Sequence, residues 1–128
     1  MREASSPISN FKCQISKAHG WRWALVAAWM GVIFIFSAQP DQVLNFGQTT
    51  LVSKLAHVAE YGILGGLIQW ARGAQARHAW RPWLAATVYA ATDEFHQLFV
   101  PGRTARVTDV MIDAAGAAAG IAIALWRR

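Results

Sequence analysis

Thiols are almost absent from this chain. Cys13 is its only cysteine, which excludes an internal disulfide and leaves the redox compartment open. Charge is scarce too: Asp, Glu, Lys and Arg together make up 15% of the residues, against about 25% in typical soluble domains. The net charge of +5 does not mark a nucleic-acid partner, because the basic residues fall in short clusters between apolar runs and form no stripe. With 128 residues the chain makes one domain and is too short for two cores. It lacks a His-Glu-x-x-His run, a cysteine pair and a recognisable nucleophile elbow, so the common zinc and serine-hydrolase signatures are missing.

What is present is apolar sequence. Hydrophobic residues are 55% of the chain and there are 7 tryptophans. Four apolar stretches stand out, at about Trp23 to Ala38, Val52 to Ala71, Trp80 to Phe99 and Val107 to Trp126. Each is near the roughly 20 residues needed to cross about 30 Å of hydrocarbon, the first if Trp21 and Arg22 begin it. The expected fold is therefore all-α, a small transmembrane helix bundle with four spans. Residues 1–20 form a polar, aperiodic N-terminal segment expected to be poorly ordered, and residues 21–128 the membrane domain. Lys12, Lys17 and Arg22 before an apolar core also resemble a signal peptide, but a cut after Ala38 would place Phe36 where a small residue is wanted.

Orientation follows from Lys and Arg. Arg2, Lys12, Lys17 and Arg22 precede the first span, Arg72, Arg77 and Arg81 join the second to the third, and Arg127 and Arg128 follow the fourth. The opposite side has only Arg103 and Arg106, since the connection from Gln39 to Leu51 contains neither residue type. Both termini are thus expected to be cytoplasmic in a multi-pass membrane protein. Trp21, Trp23, Trp70, Trp80, Trp83 and Trp126 fall at the same inner interface, as an aromatic belt should. Trp29 alone lies mid-span.

Lys54, His57, Glu60, Asp93, Glu94, Asp109 and Asp113 lie inside these stretches, with Tyr61, His96 and Gln97 beside them. Threaded as spans, they gather near the outer face, and a charge at membrane depth costs several kcal/mol unless it is paired or faces a polar cavity. At about 100° per residue, Lys54, His57 and Tyr61 share an arc of about 60°, and Asp93, His96 and Gln97 group within about 100°, whereas Glu94 and His96 diverge by about 160°. Asp109, Asp113, Gly116 and Gly120 run down one stripe of the last span, where the Gly-x-x-x-Gly pair reads as a helix-packing surface.

These residues resemble the motifs of the VanZ-like membrane family. Ser53 to Leu64 carries Lys54-x-x-His57-x-x-x-Tyr61-x-x-Leu64. Asp93-Glu94-Phe95-His96-Gln97, continuing to Pro101-Gly102-Arg103 and then Asp109, Asp113 and Gly116, is similar to that family's second motif. Phe36-Ser37-Ala38-Gln39-Pro40 resembles its Ser-x-Gln exit from the first span. Glu60 lies outside the family pattern, and Asp113 stands where Asn is also common. The resemblance implies a helix bundle in a bacterial envelope, from a family named for a protein associated with teicoplanin resistance.

The chemistry has to be read from the residues. Arg103 and Arg106 break the charge rule by lying outside, and with Lys54 they suit an anion such as a lipid phosphate, whose oxygens match the paired donors of guanidinium. Tyr61, Gln97, Asp109 and Asp113 complete the candidate ligand-binding set, while His57, Asp93, Glu94 and His96 are the candidate catalytic groups. Acid–base work by a membrane-embedded hydrolase or transferase is one alternative. A proton relay is a weaker one, because the inner half of each span is apolar or small. Ion pairs that only register the helices are the structural alternative. No metal or cofactor is assigned. The expected partners are membrane lipids, a lipid-linked phosphate or cell-wall precursor, and a second copy of the chain.

Overall fold

The structure, a computed structural model, describes residues 7–40, 50–73 and 76–127. Residues 41–49, most of the connection expected between the first two spans, lie outside the described residues, as do Arg2 and Arg128. Four α-helices follow one another: α1 Pro7–Ser37, α2 Thr50–Arg72, α3 Trp80–Gln97 and α4 Val107–Trp126, with a short 3-10 turn at Ala76–His78 before α3. Among the described residues there is no strand.

Three windows are long and apolar enough to cross a membrane: Gly20–Ser37, Leu51–Arg72 and Val107–Trp126. The helix α3 falls outside that class because Arg81, Asp93 and Glu94 lie within its 18 residues. At 1.5 Å per residue it still extends about 27 Å, and its Asp93, Glu94 and Gln97 turn inward. The helix α1 begins at Pro7, ahead of the apolar stretch. Proline suits the first position of a helix, where its missing N–H removes no bond. Once the apolar part is helical, each further residue adds a hydrogen bond without a new nucleus.

Every helix buries one narrow stripe. Val26, Ile33 and Ser37 do so on α1, Tyr61, Leu64 and Ile68 on α2, and Asp113, Ala117 and Ile121 on α4. On α3 the stripe is Pro82, Ala86, Ala90, Asp93 and Gln97. From Gly20 on, the remaining faces are mostly apolar and bare, to the point that Phe95 is 63% and Val107 79% exposed. An apolar coat around the whole bundle is what lipid requires, and soluble proteins do not carry it.

The helices run alternately up and down. On α1 and α3, running in parallel, the Tyr89 hydroxyl donates to the Met30 carbonyl at 2.6 Å and the Gln97 amide to Ser37 Oγ at 3.0 Å. The indole of Trp29 donates to the Glu60 carbonyl of antiparallel α2 at 3.0 Å, and that of Trp83 to the Ala114 carbonyl of antiparallel α4, also at 3.0 Å. Trp29, the one tryptophan outside the aromatic belt, is thus a tie between helices.

The closest approach is between the parallel pair α2 and α4. A Cβ added at Gly65 would stand 2.5 Å from the Ala117 carbonyl oxygen, and one at Gly116 would stand 2.6 Å from that of Val58. One at Gly120 would overlap the carbonyl of Gly62. The expected packing role of Gly116 and Gly120 is met, and the matching Gly62, Gly65 and Gly66 supply the other half of the seam. Such contact brings backbone Cα–H groups against carbonyls and substitutes close dispersion contact for the hydrophobic drive that lipid does not provide.

Gly65→Val should therefore destabilise the bundle by about 1–3 kcal/mol or more, the usual range for overpacking. Gly31→Ala, where an added Cβ meets nothing within 4 Å, should melt like the wild type. Thermal melts of the purified variants in one detergent check both.

Candidate functional site

The polar ends of the four buried stripes meet at one end of the bundle. Two local features aim them there. Pro101 and Gly102 (φ 82°) occupy the middle of a turn closed by the Arg103 amide on the Val100 carbonyl at 3.2 Å, the arrangement of a type II turn, whose third position favours glycine. The chain then extends through Arg106 (φ −133°, ψ 131°) into α4. There the backbone amide of Arg106 donates to Glu94 Oε2 at 3.0 Å, so a carboxylate from α3 caps the approach to α4.

The innermost residue is Asp113, at 1% exposure. His57 Nδ1 lies 3.3 Å from its Oδ1. The contact is close but not aligned as a hydrogen bond, and neither atom has a hydrogen-bond partner of good geometry among the described residues, nor does Asp113 Oδ2. A second pair of contacts centres on Gln97, whose Nε2 donates to Asp93 Oδ2 at 3.3 Å and to Ser37 Oγ at 3.0 Å. Asp93 Oδ1 is buried without such a partner, as are the Tyr61 hydroxyl and His96 Nδ1. The His96 ring rests 4.5 Å from that of Phe34, and Tyr61 packs 6.3 Å from Tyr89. Buried polar atoms are normally satisfied, so several unsatisfied ones around one point are a feature needing explanation.

Electrostatic reach defines the cluster as a unit. The charge of Asp113 acts on His57, Glu60, Tyr61 and Glu94, that of Asp109 on Glu94 and Asp113, and that of Arg103 on Glu60. Of the residues expected at the site, His57, Tyr61, Asp93, Glu94, His96, Gln97 and Asp113 are buried or half-buried together, with Asp109 and Arg103 half-buried beside them. Lys54 is different: it shares the phase of His57 but is exposed, one turn further out on α2. Glu94 and His96 diverge as expected and both remain inside, because α3 lies between α4 on one flank and α1 on the other. Among the described residues no three of the His, Cys, Asp and Glu side chains are gathered tightly enough to hold a metal ion.

Residue-level reading of the sequence missed Ser37 as a partner of Gln97, and Tyr89 entirely. The Ser-x-Gln exit was a signal for Ser37; nothing in the sequence singled out Tyr89. Two cavities, of about 420 Å³ and 440 Å³, lie away from the cluster in apolar surroundings at the tryptophan-rich end.

Lipid-facing apolar surfaces around a buried polar cluster define a helical membrane protein. Over residues 22–128 the sequence matches the VanZ/LLP1 family, and the chain belongs to that family. Neither a curated protein nor a solved structure matches it.

Tyr61 and Tyr89 offer an internal comparison. Tyr89→Phe deletes a hydroxyl that makes a 2.6 Å hydrogen bond and should cost about 1 kcal/mol, whereas Tyr61→Phe removes a buried hydroxyl without a partner and should be neutral or stabilising. Paired thermal melts read the difference directly.

Proposed function

We propose that this protein is a four-span protein of the bacterial inner membrane, with both termini cytoplasmic, whose buried polar cluster opens outward and binds or modifies an anionic, lipid-linked envelope component. The observation that carries the reading is the gathering of Asp93, Asp113, Tyr61 and His96, each with a buried polar atom that lacks a hydrogen-bond partner among the described residues, at one end of the bundle. Groups kept in that state at membrane depth are expensive, and a ligand that satisfies them explains why they are retained. Arg103 and the exposed Arg106 and Lys54 supply positive charge at the rim, where a phosphate would dock. The carboxylates and histidines beneath would then meet the hydroxyl or leaving group of the same molecule. Susceptibility to teicoplanin, to which the family's name points, belongs to this reading as a cellular consequence of altering a cell-wall precursor.

One contact favours the enzymatic version, a hydrolase or transferase acting on a lipid phosphate. Asp113 beside His57 Nδ1 holds the imidazole in one orientation and supports its charge as the ring takes a proton at Nε2, the part a general base must play.

Sidedness is tested by single cysteines in a Cys13→Ser background. Thr104→Cys should react with an impermeant thiol reagent on intact cells and Ala76→Cys should not; the reverse pattern inverts the topology. The ligand is tested by mass spectrometry of lipids that co-purify with the protein. A phosphate-bearing lipid precursor should be retained by the wild type and by His57→Asn, and should fall about fivefold for each of Lys54→Gln and Arg106→Gln, the weight of one basic residue near an anionic headgroup. Retention unchanged in both rim variants would contradict the reading.

A further inference from the structure

We propose that the apolar cavity at the tryptophan-rich end is a binding site for one anionic diacyl phospholipid, with an acyl chain in the cavity and the phosphate on Arg72 and Arg81. This site is separate from the acidic cluster and does not depend on what that cluster binds. Its volume of about 420 Å³ lies within the range of built ligand sites, roughly 300–1,000 Å³.

Three helices make its walls. Val26 and Met30 come from α1, Leu64 and Ile68 from α2, and Pro82 and Ala85 from α3. Tyr89 also lines it, and with its hydroxyl committed to the Met30 carbonyl the ring offers the cavity mainly carbon. Such a surface suits a hydrocarbon chain and gives no grip to a polar molecule. Both charged residues lining the cavity are basic: Arg72, at the last residue of α2, and Arg81, in the first turn of α3. The Arg72 guanidinium donates through Nη1 to the His78 carbonyl at 3.3 Å, which positions it while leaving other N–H groups to bind. The Arg81 guanidinium lies 5.4 Å from the ring centre of Trp80.

Charge complementarity identifies the occupant. The acidic residues among those described are Glu60, Asp93, Glu94, Asp109 and Asp113, all belonging to the other cluster, and none lines this cavity. The anion matching two guanidinium groups above an apolar slot must come from the membrane, and a phosphodiester carrying acyl chains supplies both halves. Guanidinium pairs its donors with phosphate oxygens, and basic pockets between membrane helices recognise anionic headgroups in this way.

Native mass spectrometry of the full-length protein in detergent, titrated with phosphatidylglycerol or phosphatidylcholine, tests the assignment. One phosphatidylglycerol should bind in preference to phosphatidylcholine. Affinity should fall about fivefold in each of Arg72→Gln and Arg81→Gln. Ala27→Phe, which fills the cavity and keeps both arginines, should displace the lipid as well. Arg77→Gln and Arg127→Gln change charge at the same end without lining the cavity and should bind like the wild type. Equal binding of the two lipids, an equal loss in Arg77→Gln, or undiminished binding in the Arg72→Gln/Arg81→Gln double variant would overturn the proposal. None of these outcomes bears on the acidic cluster.

Discussion

The rest of the structure depends on how closely α2 approaches α4. Glycines at 62, 65 and 66 on one helix and at 116 and 120 on the other let two parallel backbones touch. A side chain at 65, 116 or 120 would collide with the facing backbone. His57 is the residue before Val58, whose carbonyl meets Gly116, and Asp113 is one turn before Gly116 on the facing helix. The seam therefore sets the His57–Asp113 contact directly: widening the crossing by the thickness of a side chain would separate the pair. In lipid, where apolar side chains gain little by leaving one apolar medium for another, such backbone contact and a few interhelical hydrogen bonds carry the association.

The other two helices are held to this pair by polar ties. Trp29, Tyr89 and Trp83 each donate to a backbone carbonyl of a neighbouring helix, and Gln97 joins α3 to α1 through Ser37. With the frame fixed in this way, the acidic and imidazole groups cannot easily rearrange to satisfy one another. Asp93 and Asp113 each keep a buried oxygen without a hydrogen-bond partner among the described residues, and in the proposed site the frame holds these groups in place before a ligand arrives.

Much of this arrangement was legible in the sequence because two periodicities agree. The apolar stretches have membrane length, and within them polar residues recur at helical spacing, so depth and face follow for His57, Tyr61, Asp93, Gln97 and Asp113 without reference to contacts. Gly116 and Gly120 announced a packing surface by their spacing; Gly62 and Gly66 have the same spacing and could have been read as its counterpart. Lys54 shows where phase is insufficient. It points the same way as His57 but, one turn nearer the helix end, it is exposed. The partners of Trp29 and Tyr89 were beyond reach, because a backbone carbonyl acceptor on another helix leaves no mark in the sequence.

The central claim is that the buried polar cluster is a working site and more than a set of ion pairs that fix helix register. Its most direct test is to compare folding and function in the same preparations of Glu94→Gln and His96→Ala. Both variants should insert and melt like the wild type while failing to restore the envelope phenotype in cells lacking the protein. If the cluster only registers the helices, losing the Glu94 carboxylate that caps the Arg106 amide and the His96 ring that packs on Phe34 would lower abundance and thermal stability together with function. That result, or full function in both variants, would contradict the account.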